Sequence, residues 1–172
     1  QDIAVVGQDD LSTDGNALYT IFFPVAAASS DAKYNGLSPS AVLVTNTDND
    51  LPAVAVTPTS GSTSEAAGNF QFSVVLQAQP SANVTISLTS SDENEGSIRR
   101  TTGVCDNAGT VATGACTLTF TAANWNITQV VTVTGVDELV ADGNKAYTIV
   151  IAPAVSADTS YNGFDAPDVA MT

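Results

Sequence analysis

The acidic residues of this sequence fall in groups, and carboxylates grouped on neighbouring loops have the chemistry of a hard-cation site. Glu65 lies in STSEAAG, Asp92, Glu93 and Glu95 in SSDENEG, and Asp137, Glu138 and Asp142 in GVDELVADG. Asp9, Asp10 and Asp14 repeat that last pattern near the start, and Asp48 and Asp50 flank Asn49 in TNTDNDLPAV. Ca²⁺ takes about six to eight oxygens at once, from carboxylates, carbonyls and water. DELVADG lacks ligands at alternate positions and is no EF-hand loop, so the acids can act together only if the fold brings them together. A solvated loop is the alternative for any single acid. Solubility is the alternative for the whole set, because eighteen Asp and Glu stand against four Lys and Arg, a formal net charge of −14. That charge repels nucleic-acid phosphate and anionic lipid, so neither is expected as a partner.

Other chemistries are closed off by residue type. Histidine is absent, which removes a His-based triad, a Cys–His pair and the usual zinc sites. Asp137 and Glu138 are a carboxylate pair of the type that glycoside hydrolysis needs, but neighbours on a strand point to opposite faces. No catalytic residue is expected, and the chain reads as a non-enzyme. The cysteines, Cys105 and Cys116, bracket a short Gly-rich segment in GVCDNAGTVATGAC. The spacing suits a local disulfide in an oxidising compartment, which would contribute about 3 kcal/mol by loop closure. Two unpaired thiols are the alternative.

The elements that must position these groups are strands. Hydrophobic residues make up 44% of the 172 positions, enough for a core, and the abundance of Val, Ile and Thr suits pleated, half-buried surfaces. No stretch approaches the roughly 20 apolar residues of a membrane span, and no basic region leads into an apolar run at the start. Membrane insertion is not expected.

A search for self-similarity finds residues 1–45 again at 129–172 with a single-residue gap at Lys33. QDIAVVGQDDLSTDGNALYTI aligns with QVVTVTGVDELVADGNKAYTI, pairing Asp9 with Asp137, Asp14 with Asp142, Gly15 with Gly143 and Tyr19 with Tyr147. A YNG triplet recurs at Tyr34 and Tyr161. The repeat period is 127 to 128 residues, so 1–50 is the back of one unit with an acidic linker, and 51–172 is a nearly complete second unit.

Period-two alternation gives strands A to G within the second unit: Ala53–Pro58, NFQFSVVL, NVTISLT, CTLTF, QVVTVTG, AYTIVI and DVAMT. Seven short strands make an antiparallel two-sheet sandwich of Ig-like type. Trp125, in AANWN, is expected to close one end of its core. Residues 1–50 supply only E, F and G, a three-strand partial copy with Val5, Tyr19, Ile21, Phe23, Val42 and Val44 on one apolar face. Upstream sequence or strand addition from a neighbouring chain is needed to complete it; the first is favoured, because the second unit already uses its own E to G strands. In the second unit the A–B, C–D and E–F connections, with the end of strand G, emerge at one tip. Convergence of their acids there would be destabilising without a cation.

Three segments carry a resemblance to a known family: VAVTPTSGSTSEAAGNFQFSVVL, LTFTAANWNITQVVTVTGVDELVADGNKAYTIVI and the TDND of the first unit resemble Calx-beta domains. The resemblance covers 51–172 and, in part form, 1–50. It implies a seven-stranded sandwich that binds calcium at one tip through the A–B Glu, the C–D loop and the acidic segment after strand G. Carried over, these are Glu65 and the Asp92 to Glu95 group, with Asp48 and Asp50 serving the first unit. The E–F turn here is poorer in acids than the family pattern, and the C–D connection carries the cysteine loop.

The function expected is a structural stalk or fibre module of an extracellular repeat protein, an adhesin or surface filament, stiffened by calcium between repeats. Its partners are then neighbouring repeats of the same polypeptide or neighbouring subunits of a fibre. A recognition module that binds a cell-surface glycan or protein through the cysteine-braced C–D loop, where Arg99 and Arg100 sit, is the second expectation.

Overall fold

A computed structural model describes residues 2–24, 29–101, 104–105, 111–139 and 143–172. Every regular element among them is a strand. The chain divides into two units, one of residues 1–10 and 14–49, the other of Leu11–Thr13 and Asp50–Thr172.

The first unit contains β1, Ala17–Ile21, and β2, Val42–Asn46, paired antiparallel with Tyr19 opposite Val44 and Ile21 opposite Val42. The expected third strand is not formed: residues 2–10 have no strand structure. Their counterpart in the second unit is held by a ladder on each side, and in the first unit no such neighbours stand beside this segment among the described residues. Alternation alone does not make a strand; the backbone groups need partners. Of the predicted apolar face, Ile21, Phe23 and Val44 are half-buried, whereas Val5, Tyr19 and Val42 are exposed.

The second unit is an antiparallel β-sandwich. Its strands in chain order are β3 (Val54–Thr57), β4 (Ser60–Gly61), β5 (Asn69–Leu76), β6 (Val84–Ser90), β7 (Gly96–Thr101), β8 (Val104–Cys105), β9 (Val111–Thr113), β10 (Ala115–Phe120), β11 (Gln129–Gly135), β12 (Tyr147–Ile151), β13 (Val155–Ser156) and β14 (Val169–Met171). One layer runs β3-β5-β11-β7 and the other β10-β6-β12-β14, with β8 joining β7 to β10 at one edge and β4 lying parallel to β14. All seven expected strands are present. Five further short strands accompany them, β4, β7, β8, β9 and β13, of which β7 pairs with β11 inside what read as a long C–D connection.

Alternation explains the packing. Phe72, Val74 and Leu76 from one layer meet Val84, Ile86, Leu88, Leu118 and Phe120 from the other in a single core, with Val131, Val133, Ile149 and Ile151. Trp125 packs on the edge of this core, and its carbonyl accepts from Leu76 N at 3.1 Å. The Cys105–Cys116 disulfide is formed, with both cysteines buried, and ties β8 to β10. The pair is compatible with an extracellular protein. No helix among the described residues is long and apolar enough to cross a membrane.

The repeat is reproduced in backbone detail. Tyr147 opposes Met171, Thr148 opposes Ala170 and Ile149 opposes Val169, the same register that sets Tyr19, Thr20 and Ile21 against Val44, Leu43 and Val42. In the second unit Ser156 Oγ accepts from Asp158 N (2.9 Å), Asp158 Oδ1 from Ser160 N (2.8 Å) and Asn162 Oδ1 from Ser156 N (3.2 Å). Ser29, Asp31, Lys33 and Asn35 make the same three bonds in the first. Gly36 and Gly163 close these turns at φ 77° and 82°, a left-handed conformation that suits glycine. This equivalence moves the single-residue gap from Lys33 to a point ahead of Ser29.

Among the described acids of the second unit, Asp158 is buried. Burial alone would raise its pKa, but N–H groups of Ser81 (2.7 Å) and Ser160 (2.8 Å) hold the carboxyl below its ordinary value. The stability it supplies is therefore present above the unfolded carboxylate value, about 3.9, and is lost as pH falls through the lower folded value. In acid titrations of unfolding followed by Trp125 fluorescence, Asp158→Asn should be less stable than the native chain at neutral pH, with the gap narrowing as pH drops below about 4. An equal gap at every pH would assign the group a purely steric role.

Candidate functional site

One end of the second unit gathers the β4–β5 connection, the β6–β7 turn, the segment ahead of β12 and Thr172. They line a cleft of about 580 Å³ whose wall includes Thr63, Glu65, Glu95, Asn144, Lys145 and Tyr147.

Backbone bonds fix each piece. Thr63 N donates to Thr172 O (3.0 Å) and Thr172 N to Gly61 O (3.2 Å). The β6–β7 turn is closed by Gly96 N on Asp92 O (3.1 Å) and Asn94 N on Asp92 Oδ1 (3.0 Å). Val136 N then donates to Glu95 O at 3.1 Å, pinning this turn to the end of β11. Tyr147 forms the floor, its hydroxyl 2.7 Å from Thr63 Oγ1. Burial pushes its phenol above the ordinary value and the Glu95 carboxylate adds to the effect, against the hydrogen bond from Thr63. Two glycines allow the close approach: a Cβ at Gly96 would run into the Tyr147 ring, and one at Gly135 into the Ser64 backbone.

The predicted site residues separate into those the cleft brings together and those it does not. Glu65 and Glu95, from different connections, share its wall with Lys145. Asp92 spends its carboxylate on its own turn, and Glu93 lies over Gly114. Asp137 is exposed and Glu138 half-buried, and Asp142 lies outside the described residues. In the first unit Asp9, Asp10 and Asp14 are exposed, and Asp48 Oδ2 accepts from Gly15 N at 2.8 Å while Asp48 N donates to Asn16 Oδ1 at 2.9 Å. Gly15 and Asn16 correspond to Gly143 and Asn144 of the cleft, so in the first unit a linker carboxylate is seated at the counterpart of this wall. Asp50 is half-buried at the start of the second unit.

Among the described residues no group of three or more acidic, His or Cys side chains is placed to hold a metal ion. The residues fit Ca²⁺ in kind, because the cleft offers two carboxylates, hydroxyls and an amide oxygen. They fit in number only if a further carboxylate joins, as Asp48 does at Gly15. Arg99, expected in a loop, belongs to β7 and donates through Nε to Thr134 Oγ1 at 3.0 Å. The structural roles of Asp158 and Tyr161 were missed, although the YNG triplets with an Asp three residues ahead of each Tyr were the signal.

No family model matches the sequence, and no curated protein matches it. Among solved structures, that of WR4, a C. elegans MSP family member, aligns at a TM-score of 0.41 and 11% identity over 69% of this chain and 93% of that chain.

Proposed function

We propose that the chain is a structural module of an extracellular repeat protein, a stalk or filament of adhesin type, whose repeats are stiffened where calcium binds at the acidic tip. The observation that supports this reading is the duplication itself: identical strand register and identical turn bonds twice in one chain. A tandem array lengthens with each added repeat, which suits a spacing role. The tip adds the cation. Glu65 and Glu95 face one cleft, and an acidic linker that self-repels is flexible until a divalent ion neutralises it. Glu65, Glu95 and a linker carboxylate would be the ligands, with Asn144 and Thr63 supplying neutral oxygens.

Thermal unfolding, in Ca²⁺ and in chelator, of the chain carrying a copy of residues 46–50 after residue 172, which supplies the linker carboxylate, tests the proposal. Calcium at about a hundred times its dissociation constant would add about 2.7 kcal/mol, and Glu65→Gln with Glu95→Gln should abolish the shift. An unchanged midpoint removes calcium from the function. A second reading rests on the disulfide: it braces the β7–β10 connection, which would then serve as a recognition loop for a glycan or protein. Replacing that connection would leave surface adhesion intact if the stalk reading is right and abolish it if this one is. Neither reading assigns a catalytic residue.

A further inference from the structure

Tyr34 and Tyr161 hold equivalent positions in two copies of one turn, yet their surroundings differ completely. Tyr161 is fully buried, 0% exposed, whereas Tyr34 is 63% exposed. The Tyr161 hydroxyl donates to Ala78 O at 2.6 Å and accepts from Ala78 N at 3.2 Å. The adjacent Asp158 takes the Ser81 N–H. On the neighbouring strand, β12 carries β6 along its free edge, with Ile151 opposite Leu88. Ala78, Ser81 and Leu88 all come from residues 51–128.

The first unit has the same turn and strands without that cover. Asp31 is exposed, as is Phe22 at 77%, and among the described residues β1 pairs with β2 alone. Phe22 and Phe23 correspond to Val150 and Ile151, so the uncovered edge of β1 is the edge that β6 occupies in the second unit.

We propose that this face and edge are an interaction surface whose occupant is a strand half built like residues 51–128, belonging to a preceding repeat of the same polypeptide. Its Ala78 equivalent would take the Tyr34 hydroxyl, its Ser81 equivalent the Asp31 carboxylate, and its β6 equivalent the edge of β1. A second copy of this chain has no such half to give, because its own 51–128 is covered by its own 129–172. Continuity in sequence is favoured because in the second unit the covering half runs directly into β11, which keeps the entropy of bringing the halves together small. The inference stands on register and burial and does not depend on calcium.

The test compares the full chain with one carrying a further copy of residues 51–128 directly ahead of residue 1, both in chelator, so that its outcome is separate from that of the calcium proposal. In the extended chain, amide exchange across β1 and β2 should slow by about a hundredfold or more, as for strands inside a folded unit rather than at a fraying edge. Tyr34 should at the same time become resistant to nitration. Protection of Tyr161 in both chains reports that the second unit is folded. Unchanged exchange and nitration at Tyr34 in the extended chain would overturn the proposal. So would a concentration-dependent dimer of the original chain, seen by sedimentation, in which Tyr34 is already protected, because the occupant would then be a second copy.

Discussion

Tyr161→Ala is expected to lower the unfolding free energy of the second unit by about 4 kcal/mol, the range for removing a large buried aromatic ring. Tyr34→Ala is expected to change it by less than about 0.5 kcal/mol, as for a surface position. The pair is informative because the residues share sequence context, turn type and backbone bonds, and differ only in cover. Two effects act at Tyr161. Its ring fills a site with no solvent access, and its hydroxyl satisfies both the N–H and the C=O of Ala78. Tyr161→Phe isolates the second effect and should cost about 2 kcal/mol, since buried backbone groups left unpaired pay their full desolvation. Urea unfolding followed by Trp125 fluorescence reads these values for the second unit, because the sequence has a single Trp and it packs on that unit's core. An effect of Tyr34→Ala as large as that of Tyr161→Ala would mean that the Tyr34 turn is coupled to the folding of the second unit.

Removing the disulfide is the second large effect. Cys105→Ala with Cys116→Ala should cost about 3 kcal/mol, the entropy returned to the unfolded chain when a short loop is opened. The native pair closes a sequence separation of 11 residues between β8, which reaches across to β7, and β10, which continues into the β6 layer. The loss should appear as a lower urea midpoint with a raised dependence on denaturant, because the unfolded chain expands. Reductant should reproduce it in the native chain and leave the double variant unchanged. A variant as stable as the native chain would show that the strands on either side hold this edge unaided.

Most of the sandwich was legible because its strands bury one face. In β5, Phe72, Val74 and Leu76 alternate with exposed or half-buried partners, and β6 and β12 do the same, so period two marks them without any tertiary information. β7 escaped because GSIRRT has one apolar residue, Ile98, which is fully buried; its strand character comes from pairing with β11, a long-range fact no local window contains. The opposite holds at residues 2–7, where DIAVVG imitates β11 but, among the described residues, has none of the ladders that give β11 its shape. Convergence of Glu65 and Glu95 followed from hairpin order alone. The presence of Lys145 on the same wall did not, because a residue flanking an acidic turn has no periodicity to say which way it lies.

The parallel pairing of β4 with β14 has a mechanical meaning. Ala170 N bonds Thr59 O, Thr172 N bonds Gly61 O and Thr63 N bonds Thr172 O, all close to 3 Å, so a strand near the start of the second unit, β4, and its last strand, β14, are latched side by side and point the same way. A pull that draws the two ends of this unit apart drags these strands in opposite directions along their length. The load then falls on all three bonds together, in shear, where an antiparallel pair pulled from its open end would unzip one bond at a time. In a protein that carries tension, this latch would resist the pull together with the β3–β5 ladder ahead of it.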